Sequence, residues 1–462
     1  MPTRRRFLQS SGLAATGALI LPHTLYGRSR PASDRLRIGL IGAKGMGFSN
    51  LRAQLQADDN TTCTWVCDVD DEVLATRLKD YGGFRQNTPR TTKDYRELLA
   101  AADVDVVVIG TPDHWHARMF VDAVDAGKDV YVEKPVANSI AECRAMAAAQ
   151  ERTGRVVQVG QWQRSGEHYA RAMEIVRSGQ LGDIRMLRCW AYQGWMTPKP
   201  KSAPRAAPAG LDYDMWLGPA PKRPYNPNHV HFDFRWFWDY AGGLMTDWGV
   251  HEIDIALLAM GASAPRSVVA TGVEDSYPGL AYETPDTLQA IYEYDGFTML
   301  WEHALGIDNG PLTREGPNEG IAFVGNDATL ILNRGGLRVV DERQFVGWDK
   351  YGQGPSKLDA PIEEMRRPEG VDYVTVHNKN FLDCVRANTP DECTTTIQSG
   401  AIAAVNAQLG NIAYRLGEKL HWEGDWRTGS FARREEGGLR QNTRANGLLA
   451  AEYHNGWKAP VG

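Results

Sequence analysis

Between residues 36 and 160, short apolar runs alternate with amphipathic stretches. Leu36–Ile41 is an apolar run, followed by a glycine-bearing loop and a helix-patterned segment to about Gln56. Thr62–Cys67 reads as a second strand ending at Asp68, and Asp94–Ala101 as a helix. Val104–Ile109 is continuously apolar, the pattern of a strand covered on both faces of its sheet. Gly110-Thr-Pro112 breaks it, His114–Ala126 predicts a helix, and Asp129–Val132 predicts another strand. Ser139-Ile-Ala-Glu142 has capping-box spacing and opens a further helix, and Val156–Val159 closes the series. Strand-then-helix units of this length predict an α/β domain with a doubly wound parallel sheet.

After Gly160 the pattern changes. Gly166–Ser178 predicts a helix capped by Gly179, and Asp183–Tyr192 a strand. Pro198–Gly210 is a Pro/Ala/Lys loop, and Asp247–Met260 looks helical. Strand-like runs then follow at Arg266–Thr271, Thr287–Tyr294, Phe297–Glu302, Ile321–Val324 and Ala328–Leu332. Few helices separate them, so the second domain is expected to be α+β with a mainly antiparallel sheet. Two late helices are predicted near Asn378–Ala387 and Ser399–Leu416, and the chain from about Gly429 is polar and without period. The expected division is a leader at 1–33, a nucleotide domain at 34–160, a substrate domain at 161–428 and a tail at 429–462.

The leader changes the picture of where the protein works. Arg4-Arg5-Arg6-Phe7-Leu8 precedes an apolar stretch from Ser11 to Leu21, then Pro22. That stretch is short for a bilayer span and has the layout of a signal peptide; the paired arginines resemble a twin-arginine leader. Cleavage is expected between Thr24 and Ser33, giving a periplasmic or secreted protein, exported by the twin-arginine machinery, with no membrane segment afterwards. The formal charge of the whole chain is −6, and residues 1–33 hold five arginines and no acid, so the remainder is more acidic still. A nucleic-acid partner is therefore not expected. Six cysteines are present. Cys63 and Cys67 share a predicted strand, where a rise of about 13 Å keeps them from bridging, and no Cys-x-x-Cys spacing occurs. The cysteines read mainly as small buried apolar residues.

Three motifs carry candidate chemistry. The first is Gly42-Ala-Lys44-Gly45-Met-Gly47, between a strand and a helix, where glycines let backbone N–H groups approach a pyrophosphate. Dinucleotide spacing asks for glycine at 44; either the register shifts to Gly45 or Lys44 itself meets a phosphate. Asp68 ends the next strand, where a carboxylate accepts from ribose hydroxyls and repels a 2′-phosphate, favouring NAD over NADP; the alternative is an ordinary acid in a turn with Asp70 and Asp71. The second motif is Glu133-Lys134-Pro135, which puts a lysine at the end of a strand, where open α/β sheets bind ligands. The third is Gly242-Gly243-Leu-Met-Thr-Asp247-Trp-Gly-Val-His251-Glu-Ile-Asp254, whose spacings of four and three place two carboxylates and an imidazole on one helical face. Oxidising an alcohol needs a base for the hydroxyl proton and a cation for the oxygen, roles that suit His251 and Lys134. A solvated polar face with a satisfied histidine is the alternative.

Thr111-Pro112-Asp113-His114-Trp115-His116 is expected to overlie the nucleotide cleft, with His114 or His116 near ribose or nicotinamide and Asp113 as a helix cap. His-x-His is poor metal spacing, so no metal is expected. His229–Tyr240 is dense in aromatic residues, as a sugar-stacking surface with Arg235, Asp233 and Trp236 or as a core or interface.

These elements together resemble the Gfo/Idh/MocA family, the group that includes glucose-fructose oxidoreductase and inositol dehydrogenase, over about Leu36 to Leu420. The resemblance rests on the Gly42–Gly47 loop, Thr111-Pro112 with His114 and His116, Glu133-Lys134-Pro135, Leu181-Gly182-Asp-Ile184, and Gly242-Gly243 followed by Asp247, His251 and Asp254. It implies a Rossmann domain plus a domain with an open, mostly antiparallel sheet, through which dimers or tetramers form. It implies a catalytic set of Lys134, Asp247 and His251, with Asp254, Arg235 and Trp236 toward substrate. Gly42, Lys44, Gly45, Gly47, Asp68, Thr111, His114 and Glu133 would then surround NAD. The expected activity is NAD(P)-dependent oxidation of a CH–OH group in a sugar, polyol or glycoside. The alternatives are an NAD-dependent, redox-neutral glycoside hydrolase and a non-catalytic carbohydrate-binding protein.

Overall fold

The computed structural model describes residues 35–310 and 317–462; the predicted leader, residues 1–33, lies outside them. Six strands, β1 Leu36–Ile41, β2 Thr61–Cys67, β3 Arg90–Thr92, β4 Val106–Ile109, β5 Asp129–Val132 and β6 Val157–Val159, form a sheet in the order β3-β2-β1-β4-β5-β6. Every pairing in it is parallel. The order reverses between β1 and β4, and the crevice at their carboxyl ends is where such sheets take a ligand. All four residues of β4 and of β5 are buried, which is why β4 reads as an unbroken apolar run and β5 is apolar after Asp129.

The second sheet has eleven strands: β7 Ile184–Gln193, β8 Ser267–Val273, β9 Thr287–Glu293, β10 Thr298–Leu305, β11 Glu319–Gly325, β12 Ala328–Asn333, β13 Gly336–Asp341, β14 Met365–Arg366, β15 Leu420–Glu423, β16 Ser430–Glu435 and β17 Gly438–Gln441. They run in the order β14-β13-β12-β11-β7-β10-β9-β8-β15-β16-β17. Pairings are antiparallel except β7 with β10, so the sheet is open and mostly antiparallel. The helices in chain order are α1 Met46–Ala57, α2 Asp71–Gly82, α3 Tyr95–Ala100, α4 Asp113–Asp125, α5 Ile140–Thr153, α6 Glu167–Ser178, α7 Tyr213–Leu217, α8 Gly243–Asp247, α9 Gly249–Met260, α10 Tyr373–Ala387, α11 Ile397–Leu416 and α12 Thr443–Asn446.

Three features depart from the sequence reading. Asp247–Met260 is two helices, not one. At the joint, the Trp248 carbonyl accepts from His251 N three residues on, a tightened turn that separates α8 from α9. Second, α10 belongs to the parallel sheet's core: Phe381, Leu382 and Val385 pack with Leu36, Ile38, Leu40, Phe48 and Leu51. Third, residues 429–462 are no loose tail. They add two strands and α12 to the second sheet domain, then cross to the first. There Tyr453 Oη donates to Glu142 (2.6 Å), and the Trp457 ring lies 4.8 Å from Trp115 and 6.3 Å from Tyr95. Asn455 Nδ2 donates to the Gly218 and Ala220 carbonyls. Such contacts have no period along the chain, so no hydrophobic pattern announces them. All six cysteines are buried free thiols.

Candidate active site

The glycine loop is built by close backbone approach. A Cβ on Gly47 would stand 2.0 Å from the Gly42 carbonyl oxygen, and one on Gly110 would stand 2.5 Å from Gly47 Cα. Gly42, with φ of 81°, would meet the Gly110–Thr111 backbone at 2.7 Å. The loop thus crosses α1 and the end of β4 with no space for side chains. Gly45 starts α1 at φ 63° with no side-chain cap, so the first-turn N–H groups of this 12-residue helix face the crevice unsatisfied. Gly45 turns the chain at the start of α1, and Lys44 is exposed beside it.

Asp68 holds the loop from the β2 side. Its Oδ2 accepts from Ala43 N (2.8 Å) and its Oδ1 from Asp70 N (3.1 Å). A carboxylate has about four acceptor positions, so two remain for ribose hydroxyls. Burial raises the carboxyl, opposed by those two N–H groups. On the other wall, Thr111 Oγ1 is buried with no partner. A side-chain-free cradle, an uncapped helix start, a carboxylate with spare acceptors and an orphan hydroxyl fit a dinucleotide. Gly42, Gly45, Gly47, Asp68 and Thr111 would hold it.

Glu133 and the two histidines serve the scaffold. Glu133 Oε1 accepts from Asn50 Nδ2 (2.6 Å) and Oε2 from Lys134 N (3.1 Å), tying α1 to the end of β5. His116 lies within 2.8 Å of the Pro135 carbonyl and 2.9 Å of the Thr111 carbonyl, a strut between the two loops. His114 Nε2 meets the Trp216 carbonyl at 3.1 Å, and its ring packs among Trp115, Trp216 and Tyr240. Burial pulls both imidazoles down to about 4, opposed in His116 by the two carbonyls its ring nitrogens face.

The reacting centre joins the domains. Lys134 Nζ donates to Asp247 Oδ1 and to the Asp247 carbonyl, each at 2.9 Å. Arg235 Nε lies 3.4 Å from the same Oδ1. Burial would raise the Asp247 carboxyl, but Lys134 and Arg235 outweigh it and hold the group below the ordinary carboxylate range. His251, on the first turn of α9, is 5% exposed, and its Nδ1 has no partner. Burial first, then the cations of Lys134 and Arg334, push its imidazole well below the usual value, with Asp247 opposing. The centre therefore combines a fixed ammonium, a fixed carboxylate and an uncharged imidazole.

Two expected substrate contacts lie elsewhere. Asp254 is 3% exposed, and Arg164 takes both its oxygens at 2.6 and 2.7 Å. Asp254 lies one turn beyond His251 on α9. Trp236 is 1% exposed, too deep to stack on a sugar. Asp113 is the residue the sequence reading assigned another task. It is the first residue of α4, and Pro112 occupies the cap position. Burial drives its carboxyl up to about 8, with Lys134, Asp247 and Arg235 acting on it. The signal was available: an acid in the loop that faces a lysine-bearing strand end.

Comparison with known proteins fits this geometry. Residues 36–161 match the NAD-binding Rossmann fold of an oxidoreductase family, and residues 175–274 match the C-terminal alpha/beta domain of the same family. The first domain is accordingly an NAD-binding Rossmann domain. The matched family is Gfo/Idh/MocA, supported by residues 36–161 in the first domain and 175–274 in the second. A glycosyl hydrolase family 109 protein of Shewanella baltica strain OS195 is 29% identical over 204 residues, 39% of this chain and 44% of that protein. The one from strain OS155 is 30% identical over the same length. The chain thus spans under half the length of the curated relatives it matches. Levoglucosan dehydrogenase, solved with NADH and levoglucosan, superposes with a TM-score of 0.61 at 19% identity, covering 84% of this chain and 99% of that one. Aldose-aldose oxidoreductase from Caulobacter crescentus, solved with glycerol, gives 0.60 at 19%, with the same coverage. At that identity these two establish shared fold.

Proposed function

We propose that this protein is an NAD-dependent oxidoreductase acting on a CH–OH group of a sugar, polyol or glycoside. The observation that carries the reading is the contact of Lys134 Nζ with Asp247 Oδ1 across the domain boundary, beside a neutral His251. An ammonium has three donors, and two are spent on Asp247. The third is free for the substrate oxygen, where the positive charge eases loss of the hydroxyl proton. His251 is uncharged, the state a proton acceptor needs. Asp247 fixes the ammonium and favours the imidazolium that forms. The nicotinamide supplies the hydride acceptor.

The export reading belongs to this proposal. Arg4-Arg5 and the apolar stretch behind them support transport of a folded protein to the periplasm or beyond. There the cofactor must arrive already bound and be reduced and reoxidised in place, which favours a redox-neutral cycle. A homodimer or homotetramer is part of the same reading.

A second reading, an NAD-dependent redox-neutral glycoside hydrolase, is favoured by the family 109 hydrolases that share 28–30% identity. Transient oxidation to a ketone acidifies the adjacent C–H, elimination expels the aglycone, water adds across the resulting double bond, and the ketone is reduced again. Both readings use the same residues. A non-catalytic binding protein would have no use for an ammonium held by a carboxylate beside a buried base.

The test is to release and identify the nucleotide that copurifies with the exported protein, then screen the holoenzyme against sugars, polyols and glycosides. A change in reduced-nicotinamide absorbance supports oxidation. Sugar release with no net change supports the hydrolase. Retained turnover in both Lys134→Ala and His251→Ala would overturn the mechanism.

A further inference from the structure

Trp195 and Phe232 are large aromatic residues left open to solvent, 63% and 44% exposed, with ring centroids 6.1 Å apart. Single exposed apolar side chains are ordinary; an exposed aromatic pair flanked by polar groups marks a ligand surface. Two independent chains of contact place this pair at the mouth of the reacting centre. The Arg235 guanidinium carbon lies 3.9 Å from the Phe232 ring centroid, and Arg235 Nε is 3.4 Å from Asp247 Oδ1, which accepts from Lys134. On the other side, Met196, next to Trp195, contacts Trp248 Nε1 at 3.2 Å through sulfur, and the Trp248 ring is 6.1 Å from His251. Phe232 therefore stands one side chain, Arg235, from Asp247, and the residue after Trp195 touches Trp248, which neighbours His251.

The rings are also held. Trp195 Nε1 donates to Gln193 Oε1 at 2.6 Å, and Gln193 is fully buried at the end of β7. Phe232 is fixed by the Arg235 cation over its face and by an Arg235 Nη1 hydrogen bond to its carbonyl. Anchored rings at an open site are pre-organised to stack a ligand at small entropic cost. The guanidinium has donors to spare for hydroxyls or a ring oxygen, and its charge disfavours a cationic ligand. A pyranose, with one apolar C–H face and a polar rim, matches an aromatic face bordered by such donors.

We infer that Trp195 and Phe232 form a subsite for a second sugar ring, so that the substrate is a glycoside or oligosaccharide with a further pyranose next to the ring that reacts. This rests on the reading of Lys134, Asp247 and His251 as acting on a saccharide hydroxyl. It gives that reading a chain length.

The test is calorimetric binding to the NAD-loaded protein with matched probes: glucose with cellobiose, mannose with mannobiose, xylose with xylobiose. In wild type, the disaccharide of the pair that binds should be about tenfold tighter than its monosaccharide. Trp195→Ala should weaken the disaccharide at least about fivefold more than the monosaccharide, the size of one lost ring stack. Trp195→Phe, which keeps a ring, should recover most of that difference and separates stacking from misfolding. Equal affinities for mono- and disaccharide in wild type, or an unchanged ratio in Trp195→Ala, would overturn the subsite and leave the catalytic reading standing. No binding by any pair, in protein that carries its nucleotide, would overturn both.

Discussion

The two domains bring unlike groups to the same place. From the parallel sheet comes Lys134, a charge fixed by Asp247 and backed by Glu133, His116 and the start of α1. From the second domain comes His251, a buried ring with an unpartnered nitrogen and no charge. One side is over-determined and the other is left open. A site that moves a proton needs this asymmetry: the cation must hold still while the base keeps a vacant lone pair. The two are also coupled, because the Lys134 charge is among the forces that keep His251 neutral.

Removing the base breaks the comparison most directly. His251→Asn keeps polarity but cannot accept the proton, and kcat/KM should fall about 10³-fold. Nucleotide content should be unchanged, since no nucleotide contact is assigned to His251. Steady-state kinetics on the best substrate of the panel, with released nucleotide quantified, checks both.

Lys134→Met removes the ammonium while filling similar space, with an expected loss of about 10²- to 10³-fold in kcat/KM. It also sharpens the coupling. Lys134 lowers His251, so its loss lets the imidazole rise. Below the new value His251 is protonated and cannot act as base. The acid limb of the residual kcat/KM profile should therefore move to higher pH than in wild type. A limb that stays in place would show that the two groups do not sense each other.

Asp254 tests the opposite kind of carboxylate, one whose work is finished in the folded state. It is locked to Arg164, with side chains 2% and 10% exposed. Asp254→Asn leaves a buried guanidinium under-compensated and should cost about 3 kcal/mol of stability. Thermal unfolding should show the loss while KM for the substrate stays near wild type. A selective rise in KM with unchanged melting would return Asp254 to the substrate.

How much of this was legible follows from which interactions repeat along the chain. The β4 run was readable because a sheet covered on both faces demands unbroken apolar residues, and β1 and β5 were readable because each departs from that pattern at one charged position. Lys134, Asp247 and His251 were readable because their spacing and flanking residues are local. Asp254 follows His251 by one turn of α9, as the spacing reads, but spacing does not reveal that Arg164, from a distant segment, takes both of its oxygens. Trp236 was misplaced because composition says that aromatic rings are abundant but not which ones are covered. The closing segment from 429 and the attachment of α10 to the first sheet depend on contacts hundreds of residues apart, such as Asn378 with Asn50 and Tyr453 with Glu142. No period encodes those.

Asp113 offers the finest test, because its charge changes within the working range. Its carboxyl is raised to about 8, by burial first and by Asp247, with Lys134 and Arg235 opposing. Below that value it is neutral, and Asp247 alone engages the ammonium. As pH rises through about 8 it ionises and becomes a second carboxylate competing for Lys134. The ammonium's free donor is then drawn from the substrate oxygen, and kcat/KM should decline by a few-fold, under about tenfold. Asp113→Asn is neutral at every pH and should lose this decline, with a flat profile from pH 7 to 9. Wild-type and variant profiles measured side by side on the NAD-loaded protein decide it. A decline that persists in the variant would assign the titration to another group and leave Asp113 a bystander in the wall of the cleft.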